Sequence, residues 1–473
     1  MEKLLLKNLD HILTMDEEGT ELKNADILIN GTVIESVKSN TDVPPDTQVI
    51  DGSGKVALPG FVNTHHHMYQ IYTRDLPRTV NSLDMFDWLK INYELWHELD
   101  PEFVYVSALV GLGLLLKTGC TLISDLFYVF PDSTSCELID AEIEAAKLIG
   151  ARFHPTRGAM SLDTSKGGTP PKNVIQSDDE ILLDYERLVN KYHDPSPQSM
   201  LRIALAPCSP FSVTPNLMKE TIKFARQHGL NCHTHLAEAV IEDEWCEQKF
   251  NMRPFEYMES LGWVGPDVWY AHAIYVNDEE IKRMGDYRCG VASCPVCNAR
   301  AGHGIANILT MRDAGVRVGF GVDGAGGYGD MISEIQTAYV LHKLNSIKFQ
   351  SERRTSAREM LEIASKGGAA VLGWDNLGSI EPGKGADISL IDIRKLDYAG
   401  SVHDIITAIV MFGSNHTVDT TIVNGEIVVQ DGKLTKINEE EVYYRANQLS
   451  KELLRKASHR TGMNYFEIPE NHR

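Results

Sequence analysis

No long hydrophobic run occurs in this chain. The most apolar stretch, Phe103 to Leu116, stops short of the ~20 residues a membrane span requires and reads as a buried helix. A secretory leader is not expected either, because Met-Glu-Lys-Leu-Leu-Leu-Lys-Asn-Leu-Asp is broken by charge before an apolar core forms. Basic charge is also scarce. The 45 Lys and Arg against 66 Asp and Glu leave a net charge of −21. That balance argues against nucleic acid as a partner, since phosphate binding needs clustered cations. The eight cysteines are scattered over 473 residues rather than set out as a compact disulfide framework. A soluble protein of a reducing cytoplasm is the simplest expectation, with no membrane or nucleic-acid partner.

What is present is histidine at the ends of apolar runs. His65 and His67 close Val-Ala-Leu-Pro-Gly-Phe-Val-Asn-Thr-His-His-His, in which Val56, Leu58, Phe61 and Val62 read as one buried strand. Side chains two apart along a strand share a face, so His65 and His67 point together and His66 points away. His233 and His235 repeat the spacing in His-Thr-His-Leu-Ala-Glu, with Glu238 three residues beyond His235. His272 ends Val-Trp-Tyr-Ala-His, and Asp323 ends Val-Arg-Val-Gly-Phe-Gly-Val-Asp.

Eight apolar strand candidates end near His67, Asp125, Arg157, Pro207, His235, His272, Cys294 and Asp323, and helical patterns separate most of them. That alternation predicts a (β/α)8 TIM-like barrel over residues 58–376, with its chemistry at the strand ends. An open doubly wound sheet would not bring the first, fifth, sixth and eighth strands together. Asn30-Gly31 and Asn424-Gly425 sit between β-branched runs as hairpin signals. They predict a small β-sandwich domain built jointly from residues 1–57 and 377–435. Residues 436–473 read as a helical extension packed outside or at a contact between subunits, and a homodimer or larger homo-oligomer is expected.

Imidazoles with one carboxylate and room for water describe a catalytic metal site. His65, His67, His235 and Asp323 are assigned as ligands of one divalent ion. Zinc is the leading choice, and iron(II) or manganese(II) would accept the same donors. Such an ion lowers the pKa of bound water to about 7 and so supplies hydroxide at neutral pH. Asp323 could also take a proton from that water, Glu238 fits a proton shuttle, and His272 could stabilise the oxyanion or serve as a fourth imidazole ligand. A carboxylated-lysine binuclear centre fits poorly, because the fourth strand ends Ala-Leu-Ala-Pro-Cys without lysine. Gln70, Trp96 and Arg157 are candidate substrate contacts. Arg157 offers a planar fork for a ring carbonyl and Trp96 a stacking face.

With these motifs, and with Pro-Gly-Lys-Gly-Ala-Asp at 382–387, the chain resembles the amidohydrolase superfamily over nearly its whole length. The resemblance is to the branch that holds triazine hydrolases and the cytosine, guanine and 8-oxoguanine deaminases. It implies the same ligand set, Glu238 as the shuttle, and a small amino-substituted N-heterocycle (a guanine-like purine, pterin or hydroxytriazine) losing ammonia to water. Expulsion of chloride or an alkylamine from a triazine is the alternative, and a catalytically silent scaffold the non-enzymatic one. Two stretches depart from the pattern: Gly324 to Gly329, read as a permissive turn beside the metal, and Cys294-Pro-Val-Cys297, read as a loop rather than a second metal or redox site.

Overall fold

The computed structural model describes residues 3–79, 84–132, 137–348 and 353–467. The terminal segments form one hydrogen-bonded sheet. Its N-terminal strands are β1 (Lys3–Leu13), β2 (Glu21–Asn30), β3 (Val33–Lys38), β4 (Thr47–Asp51) and β5 (Lys55–Pro59). Eight short parallel strands follow: β6 (Phe61–Asn63), β7 (Cys120–Phe127), β8 (Arg152–Ala159), β9 (Ala204–Pro207), β10 (Cys232–Leu236), β11 (Val268–His272), β12 (Gly290–Ser293) and β13 (Arg317–Phe320). The chain then returns to the first sheet through β14 (Ile388–Asp392), β15 (Val418–Val423), β16 (Glu426–Gln430) and β17 (Lys433–Leu434).

β6 to β13 close into a barrel, in which β13 pairs with β6 through Phe320 and Asn63. The eight strand ends expected from the sequence are these eight strands. At the closing seam the ladder continues past the strands: Asp323 N donates to His65 O at 3.1 Å and His67 N to Asp323 O at 3.3 Å. The first and last chemical elements of the sequence therefore meet through backbone hydrogen bonds, which a doubly wound sheet would not supply.

One expected strand is two. Val56 and Leu58 belong to β5, which pairs with β14, whereas Phe61 and Val62 belong to β6 of the barrel. Pro59 and Gly60 make the transfer. A Cβ at Gly60 would lie 2.1 Å from Thr121 Oγ1, so only glycine lets the chain cross so close to β7. The barrel therefore starts at Phe61 rather than at residue 58.

The terminal strands run in the order β17-β16-β15-β14-β5-β1-β2-β3, with β4 beside β1. Both hairpin signals are turns: Gly31 joins β2 to β3, and Asn424 (φ 53°) with Gly425 (φ 81°) joins β15 to β16. One face of this sheet buries its own core, which includes Leu6, Ile27, Ile388 and Ile422. A buried Arg152 fastens the sheet to the barrel, donating to Asp387 Oδ1 at 2.8 Å and to Asn424 Oδ1 at 3.0 Å. The helix Glu439–Thr461 lies on the outside, burying Leu449, Leu453 and Leu454, while Arg460 pairs with Glu94 and Glu98. Among the described residues no helix is long and apolar enough to cross a membrane.

Candidate metal centre and its pocket

The chemical groups stand where the strands stop, and two of them, with one neighbouring alanine, are held in strained backbone. His272 (φ 71°), Ala273 (φ 50°) and Asp323 (φ 59°) adopt left-handed conformations that non-glycine residues avoid. Each costs of order 1–3 kcal/mol, and such strain persists where the surrounding fold imposes it and a site uses it.

The protonation of three imidazoles can be read from their outer partners. His67 Nδ1 lies 2.7 Å from Leu126 O and His235 Nδ1 lies 2.7 Å from Cys208 O, so each Nδ1 carries the hydrogen. His233 Nδ1 faces Trp269 O at 3.0 Å, which leaves its Nε2 to accept from His65 Nδ1 at 2.8 Å. The Nδ1 atoms of His65, His67 and His235 are therefore donors, and the Nε2 atoms of these three rings present lone pairs. Yet His67 Nε2 and His235 Nε2 stand 3.1 Å apart. Two lone pairs at that distance repel unless a cation lies between them. His65 Nε2 is buried without a hydrogen-bond partner. Asp323 Oδ1 adds a negative oxygen 3.5 Å from His65 Nε2 and 3.4 Å from His67 Nε2. Burial pushes the His67 imidazole down to about 4 and His65 well below its ordinary range, so the rings are kept neutral, as metal ligands must be. The donor set fits a divalent metal, with outer hydrogen bonds of the kind that orient ligating histidines.

His66, between the two, turns away and contacts the Asp323 carbonyl. His272 Nδ1 is held by Asn298 Oδ1 at 2.9 Å, and its Nε2 faces Glu238 Oε2 at 3.6 Å and Asp323 Oδ2 at 3.8 Å. Burial alone would raise the Glu238 carboxyl, but His272, His303 and His235 reverse the sign and bring it down to about 2. Glu242, on the helix that follows, accepts the N–H groups of Ala237 and Glu238 at 3.0 Å each and so fixes the turn that aims Glu238.

These groups form the floor of a cavity of about 270 Å³ that includes His67, His235, Glu238, His272 and Asp323. Trp88, Tyr93, Tyr128 and Phe211 supply an aromatic wall. Gln70 lines the cavity as expected, but its Oε1 is taken by Ala325 N at 2.9 Å. Trp96 is not in the lining. It is fully buried, donates to Thr73 Oγ1 at 3.3 Å and packs edge-on against Tyr69, and Trp88 on the same helix is the one that reaches the cavity. Arg157 does not reach it either. Its guanidinium points outward from the barrel, bonded to Asp184 Oδ2 at 2.8 Å and Gln176 Oε1 at 2.7 Å and stacked 3.8 Å over Phe130. Asp184 belongs to the helix Asp178–Tyr192, so Arg157 serves the join between strand and helix.

Sequence reading passed over Asn298 and His303, which lack any repeated spacing, and left His233 without a role although it shares the motif of His235. The two unusual stretches meet at the wall. A Cβ on Gly324 would fall 1.9 Å from Gln70 Oε1, and one on Gly326 would fall 2.5 Å from Cys297 Sγ. Cys294 begins the helix Pro295–Ala301, and its thiol lies within 4.8 Å of donor atoms of His65, His272 and Asp323. The cysteines among the described residues are free and buried; Cys136 lies outside them.

Residues 56–428 match the sequence model of the Amidohydrolase family. The chain is 37% identical over 417 residues to 8-oxoguanine deaminase of Pseudomonas aeruginosa, covering 88% of this chain and 91% of that one. It is 34% identical over 459 residues to hydroxydechloroatrazine ethylaminohydrolase of Pseudomonas sp. strain ADP, covering 93% and 94%. The crystal structure of atrazine chlorohydrolase from Arthrobacter aurescens TC1 complexed with zinc superposes with a TM-score of 0.90 at 31% identity, covering 94% of this chain and all of that one.

Proposed function

The chain belongs to the amidohydrolase family, and on that premise we propose that it is a hydrolytic deaminase of a guanine-like oxo-purine or a related amino-substituted N-heterocycle, dependent on one divalent metal. His65, His67, His235 and Asp323 are the residues that would hold the ion, with zinc the first choice. Bound there, it supplies Lewis acidity that makes water acidic enough to lose a proton near neutral pH.

The observation that carries the reading is the position of Glu238. Its carboxylate lines the same cavity as the converging Nε2 atoms and stands 3.6 Å from His272 Nε2. In the hydrolysis a carbon–oxygen bond forms to water and the carbon–nitrogen bond to the exocyclic amine breaks. A departing amine needs a proton, whereas chloride does not. Glu238 takes a proton from the attacking water at Oε2 and passes it to the ring, and Asp323 takes the second and returns it to the amine. His272 Nε2, between two carboxylates, faces the place where an oxygen becomes negative. Trp88, Tyr93, Tyr128 and Phe211 suit a flat ring and keep bulk water from it. Free buried cysteines agree with a reducing cytoplasm.

Ammonia release measured over a panel of guanine-like purines, pterins, hydroxytriazines and chlorotriazines tests the proposal. The expected result is turnover of an amino-oxo purine ahead of every chlorotriazine. Chloride release without ammonia release would replace it with the dehalogenase reading.

A further inference from the structure

Glu238 has an imidazole facing each of its carboxylate oxygens. Oε2 faces His272 from the end of β11, and Oε1 lies 3.1 Å from His303 Nδ1. His303 follows the short helix after β12. Its backbone is fixed twice: its N–H donates to Asn298 O at 3.0 Å, and its carbonyl accepts from the Tyr275 hydroxyl. Asn298 thus holds both imidazoles, His272 through its side chain and His303 through its backbone. We propose that His303 is a positioning residue for Glu238, pairing with Oε1 so that Oε2 alone faces the reaction centre and carries the proton. The inference rests on Glu238 being the proton carrier argued above.

A free glutamate can rotate and present either oxygen, which spreads the transferred proton over several geometries. Proton transfer needs heavy-atom separations of about 2.6–3.2 Å, so a carboxylate anchored at one oxygen holds the other in register. The electrical surroundings agree. Glu238 is faced by His235 from β10, His272 from β11 and His303, with Asp323 and Glu242 as the neighbouring carboxyl groups. The Cys208, Cys294 and Cys297 thiols around it are pushed up by burial and stay neutral. Burial would lower the His303 imidazole, but Glu238 outweighs it and raises it, which favours the charged form of the pair.

The pH profile of kcat/KM for metal-loaded parent, His303→Ala and His303→Asn tests this. An opposite charge beside a carboxylate lowers its pKa, and the base form of Glu238 is the active one. Removing the cation should therefore move the acidic limb to higher pH, by roughly one unit or more. His303→Asn keeps a neutral donor near the place of Nδ1. It should show the same shift while recovering part of the kcat lost in His303→Ala, with metal content equal in all three proteins. Nitrogen-15 histidine NMR reads the pair without substrate: the His303 titration midpoint should fall in Glu238→Gln. An active parent whose acidic limb and midpoint both stay in place would overturn the inference and leave the deaminase reading standing. A midpoint that falls in a protein releasing ammonia from no ring would support the pair and overturn the deaminase reading instead.

Discussion

The floor of the cavity and its wall are built by different rules. On the floor, His67, His235 and Asp323 stand at barrel strand ends with His65 buried beside them, and backbone carbonyls or a second imidazole fix each ring. In the wall, Trp88 comes from a helix, Tyr128 and Phe211 from loops, and Gly324 to Gly326 from a turn whose two glycines make room for Gln70 and Cys297. The floor is determined by the barrel and tolerates little change. The wall is determined by loop packing and can be altered one contact at a time. Under the proposed function, chemistry would reside in the first region and choice of substrate in the second.

The largest effect that would break this division lies on the floor. Replacing His67 or Asp323 by alanine, or stripping the protein with a chelator, should abolish turnover, and elemental analysis should find close to one metal equivalent in the parent and much less in the variants. Two equivalents, or turnover without metal, would remove the single-ion assignment.

Arg157 sharpens the comparison from outside both regions. Arg157→Ala leaves Asp184 buried beside only Arg187, and breaking a buried pair costs about 3–5 kcal/mol. Thermal or urea unfolding should show that loss, while the folded fraction keeps the kcat/KM ratio between an oxo-purine and an analogue without the carbonyl. A selective loss on the oxo-substrate would return Arg157 to the pocket.

The smallest effect belongs to the wall. Gly326→Ala drives a Cβ to within 2.5 Å of Cys297 Sγ, an overpacking of about 1–3 kcal/mol that the turn relieves by moving. KM and substrate preference should change with metal content intact, and adding Cys297→Ala should restore much of the loss. Additive losses in the double variant would show that the two stretches do not meet.

The same division explains what could be read from the chain. Barrel closure and the floor were legible because strand periodicity places His65, His67, His235 and Asp323 at apolar run ends, and the terminal hairpins were legible from Asn-Gly. The split of Val56–Val62 into two strands was not, because Pro59 and Gly60 change sheets while hydrophobicity continues unbroken. Arg157 misled for a related reason: alternation along β8 says that side chains face in or out, not which. Trp96 and Trp88 share one helix, and only tertiary packing decides which reaches the cavity. Asn298 and His303 act through one segment's fold and leave no periodic mark.

The account stands most directly on the rate of ammonia release from one guanine-like substrate by parent and Glu238→Gln, each carrying its measured metal. The prediction is equal metal and equal fold with a rate lower by at least ~10²-fold, the range of a lost acid–base group. A Glu238→Gln protein that released ammonia at a near-parental rate would contradict it.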